Sequence, residues 1–368
     1  MLVGVPKEIK DHEYRVGLTP AGVHALVSAG HQVLVQAGAG TRVGFDDAQY
    51  EAAGGRIVRS AEEAFSAGLV VKVKELQPAE CKLVRRGQIL FAYLHLAPDP
   101  GLLEALLAAG LTGIAYETVA NREGTLPLLA PMSRIAGRLS IQFGAWALQM
   151  ANGGSGVLIG GVAGVPPAKV VVIGSGESGS HAAQTAAGMG ADVTVLSTNI
   201  GQLAQLDRLH RGRVKTCFSE PLAIAEQVAG ADLVVGAVLV PGKLAPKLIS
   251  RELLKRMRRG SVLVDISIDQ GGIAETSRPT SHSQPIYIEE GVIHYCVPNM
   301  PSAVARSATF ALTQATYPYV LRLAEHGLAA LAEDPGLAQG LQIHAGQVTH
   351  AGLASDVRRP YRPYDFER

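Results

Sequence analysis

Four charged or polar side chains fall where α/β proteins do chemistry, just past short apolar runs. Arg15 is the only arginine in the loop K-E-I-K-D-H-E-Y-R-V-G-L-T-P. A guanidinium can hold a carboxylate through two parallel hydrogen bonds, so Arg15 is either a carboxylate anchor or a solvated loop charge. Lys74 ends V-V-K-V-K, with Lys72 on the same face of the expected strand. An ammonium there can grip a carboxylate or polarise a carbonyl; it can also simply solubilise a strand end. His95 ends I-L-F-A-Y-L-H, and Tyr93 lies two residues earlier on the same face. Imidazole moves protons near neutral pH, although a structural histidine fits the same position. Asp269 stands in D-I-S-I-D-Q-G-G, where the glycines allow a ligand to approach closely. A plain turn aspartate reads the same way. Asp265, inside the preceding strand, is expected to orient backbone groups. Met132 and Ser133, in A-P-M-S-R, sit at a domain junction and either line a cleft or serve as core packing and helix cap.

The stretch from Lys169 to Asn199 shows what these groups would work on. The β-branched run Val170 to Ile173 reads as a buried parallel strand. Gly174, Gly176 and Gly179 follow with the spacing G-x-G-x-x-G. The first permits a tight turn, the second lets backbone approach a pyrophosphate, and the third lets helix and strand pack closely. A small-residue helix from Gly179 to Met189 and a strand from Val193 to Leu196 complete a dinucleotide-binding unit. The second strand should end in an acid for the ribose of NAD, but Ser197 stands there, followed by Thr198 and Asn199. Glu177 lies inside the glycine loop; its carboxylate is expected to face solvent, since an inward charge would repel the pyrophosphate. Asn299, in C-V-P-N-M-P, offers an amide to a nicotinamide or substrate, or caps the next helix.

These residues need a scaffold, and 368 residues with 47% apolar content suffice for about two domains. Strands are expected at Leu2–Val5, Gln32–Gln36, Val70–Val73, Ile89–Leu94 and Thr112–Tyr116. Helices are expected from Pro20 to near Gly30, near Asp46–Ala53 and at Leu102–Ala109. Beyond Asn199 the alternation continues with strands at Val214–Cys217, Asp232–Ala237, Val262–Ile266 and Val292–Val297, and helices at Leu222–Val228 and Pro246–Met257. A long helical region from Ser302 to about Ala332 returns to the first domain, and the proline-broken tail from Arg358 lies on the surface or frays. The expected fold class is α/β: two Rossmann-like domains with parallel sheets, the first domain discontinuous, with a cleft between them. The boundaries fall at 1–132 with 303–368, and 133–302. A net charge of +1 gives no attraction to nucleic acid or membrane. Three scattered cysteines show neither metal spacing nor a disulfide framework, and the start is a strand and not a signal peptide. A cytoplasmic protein with no metal site is expected.

The ordered motifs G-V-P-K-E-I-K-D-H-E-Y-R-V-G-L-T-P, V-K-V-K-E, Y-L-H-L-A, P-M-S, G-A-V-L-V-P-G, D-I-S-I-D-Q-G-G, S-R-P-T and N-M-P run from Gly4 to Pro301. In them the chain resembles the alanine dehydrogenases, within the wider alanine dehydrogenase and pyridine nucleotide transhydrogenase group. The resemblance implies reversible oxidative deamination of L-alanine to pyruvate and ammonia with NAD, in a homohexamer. It gives Arg15 and Lys74 the substrate carboxylate and carbonyl, with Tyr93 in the substrate pocket. It gives His95 and Asp269 the proton transfers, and it places Ser133, the glycine loop, Ser197, Leu239 and Asn299 by the cofactor. The departures are Ser197 for the ribose acid, Gln202 near a frequent lysine, Glu177 in the glycine loop and Pro298 where small residues are usual. They touch nucleotide holding and not the chemistry, so NADP becomes possible beside NAD. Two other readings stay open: a non-catalytic member that kept the fold, and a transhydrogenase nucleotide-binding subunit.

Overall fold

The computed structural model describes residues 1–239 and 244–365. The end of the G-A-V-L-V-P-G motif, residues 240–242, and the last three residues of the tail lie outside that range. The chain divides into two compact units, Met1–Met132 with Ser302–Arg368, and Ser133–Pro301.

In the first unit, β1 (Leu2–Val5), β2 (Gln32–Gln36), β3 (Arg56–Val58), β4 (Leu69–Val71), β5 (Ile89–Ala92) and β6 (Thr112–Ala115) run parallel. They alternate with α1 (Pro20–Ser28), α2 (Asp47–Ala52), α3 (Ala61–Phe65) and α4 (Pro100–Ala109). Proline opens α1 and α4, where its missing N–H costs nothing. Thr19 and Asp99 cap them by accepting from the backbone N–H of Gly22 and Leu102. Every residue of β4 and β5 is buried, as expected for strands covered on both faces.

Helix α5 (Ala130–Ala147) carries the chain into the second unit. There β7 (Lys169–Ile173), α6 (Glu177–Gly188), β8 (Asp192–Ser197), α7 (Ile200–His210), β9 (Val214–Phe218), α8 (Pro221–Ala229) and β10 (Leu233–Gly236) follow. Next come α9 (Arg251–Leu254), β11 (Val262–Asp265), β12 (Ile286–Glu289) and β13 (Val292–Tyr295). A 3-10 turn at Met300–Val304 leads to α10 (Ala305–His326), and the chain closes with α11 (Ala329–Glu333), α12 (Pro335–Ala338), β14 (Leu341–His344), β15 (Gln347–Val348) and α13 (Ala351–Asp356).

The first sheet has the order β15-β14-β6-β5-β4-β1-β2-β3, and the second β12-β13-β11-β10-β7-β8-β9. In each, the order turns around at the first strand, β4-β1-β2 and β10-β7-β8. Such a switch point leaves a crevice at the carboxyl ends of the strands, where ligands of open α/β sheets bind. Both sheets are parallel except at an edge: β12 lies antiparallel to β13, β14 to β6, and β15 to β14.

One expectation needs correction. The segment Pro246–Met257 is not one helix, since only Arg251–Leu254 is helical. The backbone N–H groups of Leu248 and Ile249 donate to Ile273 O, which holds the preceding residues extended. Ser250 then caps the short turn by accepting from Leu253 N–H at 3.2 Å. The helical region expected from Ser302 to about Ala332 is present as the 3-10 turn, α10 and α11, with a break after His326 where Gly327 takes a φ of +59°. Beyond Gly327, β14 pairs with β6 and buries Leu341 and Ile343, and the tail from Arg358 to Asp365 lies on the surface as expected. Tyr361 also bridges to Val348.

Ile343 is 1% exposed and belongs to the cluster of Leu90, Leu94, Leu103 and Leu106. Ile343→Ala should therefore lower the unfolding free energy by about 2–4 kcal/mol, read as an earlier urea transition. An unchanged transition would mean that β14 is dispensable to the first unit.

Candidate active site

Charged side chains gather at the carboxyl ends of β1 and β4. Arg15 exposes 2% of its surface. Its Nε donates to Glu13 Oε1 at 2.7 Å and its Nη2 to Glu13 Oε2 at 2.5 Å, while Nη1 reaches the Met132 sulfur at 3.1 Å. Burial works against the guanidinium charge, but the Glu13 carboxylate outweighs it and raises the Arg15 pKa. Arg15 is thus a buried, oriented cation and not a solvated loop charge.

Strand β4 ends at Val71, so Lys72 and Lys74 lie past its end and do not share a strand face. Lys72 is fully buried and donates to Glu80 at 2.6 Å and Glu8 at 3.0 Å. Lys74 is 8% exposed, with Nζ 3.4 Å from Glu75 Oε2. Glu8 also accepts the backbone N–H groups of Val73 at 2.7 Å and Lys74 at 3.3 Å. The fully buried Lys72 thus anchors a carboxylate that pins the backbone of Lys74.

His95 follows β5 with a φ of +44°, a left-handed conformation uncommon outside glycine. Its backbone N–H donates to Glu117 Oε1 at 2.7 Å, and Leu94 N–H reaches the same carboxylate at 3.2 Å. The imidazole Nδ1 lies 3.9 Å from Glu117 Oε1. The ring stacks on Tyr93 with centroids 6.0 Å apart and 12° between planes. Tyr93 donates its hydroxyl to Leu128 O at 2.6 Å, and burial raises its pKa, so it is a neutral phenol. Arg15 acts electrostatically on Tyr93, and Glu8 on Arg15. The first unit therefore brings Arg15, Lys74, Tyr93 and His95 into one cluster.

The second unit places the glycine loop between β7 and α6. Gly174 has a φ of +109°, and a Cβ there would lie 2.2 Å from Ala237 O. A Cβ on Gly179 would lie 1.9 Å from Gly174 O, so neither position admits a side chain. Gly176 heads α6 with no side-chain cap, and a Cβ on it would meet nothing within 4 Å. The loop thus leaves uncapped helix-end amides beside open space, which suits a pyrophosphate. Glu177 does not face into the loop: it is half-exposed and paired with Arg134 through two contacts at 2.8 and 3.3 Å.

Ser197, the last residue of β8, is buried. It lies 2.6 Å from the Ser175 hydroxyl and accepts Asn199 N–H at 3.1 Å. Ser175 Oγ is also 2.6 Å from Gln202 Oε1. Leu239 follows β10 with 56% of its surface exposed. Asp265 accepts from Ser267 N–H, Ile273 N–H and the Ser277 hydroxyl at 3.1, 2.8 and 2.6 Å, which holds the turn Ile266–Gln270 that carries the exposed Asp269. Asn299 follows β13 with a φ of +61°. Ser133 lies in the first turn of α5 and is not its cap, because the helix already begins at Ala130. Gly174, Gly176, Gly179, Ser197, Leu239, Asp269 and Asn299 thus line the carboxyl ends of neighbouring strands of one sheet.

Sequence reasoning missed Glu8, Glu13, Glu117 and Ser175. For Glu8 and Glu13 a signal existed. Both lie in the same loop as Arg15, and a buried guanidinium requires a carboxylate partner. Glu117, 22 residues from His95, had no local signal.

The Lys74 partner Glu75 yields a pH test. Burial pushes its carboxyl up, but the Lys74 and Lys10 ammoniums more than offset this and hold it down at about 2, against 4.5 when exposed. Its folded pKa is depressed, so its stabilisation is full above about pH 4.5 and is lost as pH falls toward 2. Glu75→Gln should cost about 3 kcal/mol at pH 7, and the gap to the unaltered protein should shrink at pH 3.5. An equal gap in urea unfolding at both pH values would contradict this.

The profile described as alanine dehydrogenase/PNT, N-terminal domain, matches residues 4–136, and the corresponding C-terminal domain profile matches residues 140–351. An alanine dehydrogenase of Halomonas elongata is 53% identical over 356 residues, 96% of each chain. The solved structure of an L-alanine dehydrogenase superposes with a TM-score of 0.95 at 51% identity, covering 97% of this chain and 99% of that one. A transhydrogenase structure from Sinorhizobium meliloti gives 0.82 at 27% identity, over 95% of this chain and 100% of that one. With both domain profiles matched and half its residues shared over nearly full length, the chain belongs to the alanine dehydrogenase/PNT family.

Proposed function

We infer that this protein is an NAD-dependent L-alanine dehydrogenase, which converts L-alanine, water and NAD to pyruvate, ammonia and NADH, and the reverse. The observation that carries this reading is the near-full-length identity of 53% to an alanine dehydrogenase, against 27% to the transhydrogenase structure. Residues 1–132 with 303–368 form the substrate and catalytic domain, and residues 133–302 the dinucleotide-binding domain.

The roles follow from the chemistry of the groups. Arg15 and Lys74 hold the substrate carboxylate and fix which way the α-hydrogen points, and Lys74 also polarises the carbonyl of pyruvate. Orientation of this kind contributes several kcal/mol to lowering a barrier. Tyr93, a neutral phenol stacked on His95, lines the substrate pocket. His95 is the general base: it takes a proton from the water that adds to the α-carbon and returns one to the departing ammonia. Asp269 stabilises the positive charge that develops on the nitrogen. The amides of the Gly174–Gly176–Gly179 loop hold the pyrophosphate, Ser133, Leu239 and Asn299 the nicotinamide side, and Ser197 the adenosine ribose. When bound, NAD accepts the hydride from the α-carbon. NADP is accepted as well, because no acid stands at Ser197 to repel a 2′-phosphate. We propose a homohexamer, the form known for the family, in the cytoplasm, a setting in keeping with three unpaired thiols. Among the described residues no helix is long and apolar enough to cross a membrane.

The direct test follows NADH formation from L-alanine and NAD at 340 nm. Hydride exchange between dinucleotides with no effect of alanine would replace this reading with the transhydrogenase one. His95→Ala should lower kcat by about a hundredfold or more while the protein stays folded; more than half the original turnover would move the proton transfer elsewhere. Lys74→Ala should raise KM for pyruvate or lower kcat by at least about tenfold, with NADH binding nearly unchanged.

A further inference from the structure

The end of β8 carries more than a missing acid. Ser175 and Ser197 are 5% and 8% exposed, their hydroxyls 2.6 Å apart, and the exposed Gln202 carboxamide closes on Ser175 at 2.6 Å. Each hydroxyl has one hydrogen to give, and this decides the order of the chain. With Gln202 Oε1 toward Ser175, the Ser175 hydrogen goes to Gln202 and the Ser197 hydrogen goes to Ser175. Asn199 N–H then feeds Ser197 at 3.1 Å. In this order the Ser197 hydroxyl has no hydrogen left for a ligand, and the Gln202 NH₂ points outward as a donor. If the carboxamide turns over, its NH₂ donates to Ser175, Ser175 donates to Ser197, and the amide oxygen points outward as an acceptor. Both orders satisfy the Ser175 and Gln202 contacts, and the second leaves the Ser197 hydrogen for a ligand oxygen.

We propose that Gln202, set by the buried Ser175–Ser197 pair, is the residue that meets the 2′ position of the adenosine ribose, and that its reversible amide lets one site accept both NAD and NADP. This rests on the dinucleotide reading above and deepens it. The position suits that role. Ser197 ends the second strand of the dinucleotide unit, where the ribose-recognising side chain belongs, and Gln202 lies in the first turn of α7 beside it. An amide oxygen accepts from a 2′-hydroxyl, and an amide NH₂ donates to a 2′-phosphate. Neither group carries a charge that would exclude the other cofactor. Gln202 is also held from its backbone, whose N–H donates to Asn199 Oδ1 at 3.0 Å.

The test is binding, by titration of NADH and NADPH against nicotinamide fluorescence, independent of turnover. The unaltered protein should bind both with dissociation constants within about tenfold, the span of one neutral hydrogen bond. Gln202→Glu should shift the ratio toward NADH by at least about tenfold, and Gln202→Lys toward NADPH by a similar factor. Ser175→Ala cuts the relay and should weaken both cofactors two- to fivefold or so with little change in their ratio. A ratio that moves less than about threefold in both Gln202 variants would overturn the selector while leaving the dinucleotide site in place, as would a preference beyond about a hundredfold in the unaltered protein. Failure of the unaltered protein to bind either cofactor would overturn the dinucleotide reading itself, and the selector with it.

Discussion

A guanidinium and an ammonium out of water require compensating charge, and that requirement organises the charged cluster at the carboxyl ends of β1 and β4. Arg15 and Lys72 are buried almost completely. Removing one partner of such a pair leaves an uncompensated charge and costs about 3–5 kcal/mol. The loop after β1 is therefore tethered to the chain just past β4 through Glu8 and Lys72, while the Glu13–Arg15 pair lies within the loop itself. Glu8 in turn fixes the backbone of Lys74. Four carboxylates, Glu8, Glu13, Glu75 and Glu80, face four cations, Lys10, Arg15, Lys72 and Lys74. Burial raises the Glu8 pKa, and the Lys72 ammonium works against that rise.

Two residues of the candidate site hold backbone conformations uncommon outside glycine, His95 at +44° and Asn299 at +61°. Such strain costs about 1–3 kcal/mol per residue and persists only where surrounding structure over-determines it. At His95 the Glu117 carboxylate supplies that determination through two backbone N–H groups. A histidine held this way cannot relax into the neighbouring extended conformation, so its ring stays stacked on Tyr93.

Which parts of this were legible in the sequence depends on how local their causes are. The strand, glycines and helix of the dinucleotide unit are contiguous, and β7, α6 and β8 lie within a residue or two of their expected positions. Arg15, Lys74, Tyr93 and His95 could be picked out because strand ends are recognisable. Their partners could not, because Glu117 meets His95 only after β5 and β6 pair. The strands β12 and β14 also escaped, each four residues long and held by antiparallel pairing, β12 to β13 and β14 to a β6 more than 200 residues away. In Pro246–Met257 an apolar pattern with helical spacing lost to backbone hydrogen bonds with Ile273, a tertiary effect no local pattern carries. Glu177 was resolved by a residue 43 positions away, Arg134.

The first sheet also sets an order of assembly during synthesis. Its β1 to β6 leave the ribosome first, but β14, which pairs with β6, is made only after the whole segment Ser133–Pro301. That inner segment has every strand of its own sheet in hand by Tyr295. Domains fold as units as they emerge, so the inserted unit can finish while the enclosing one still has an open edge at β6. Until residue 341 appears, that edge offers unpaired backbone groups to other chains. The nascent protein is therefore most prone to mispairing late in translation, after its dinucleotide unit is already complete.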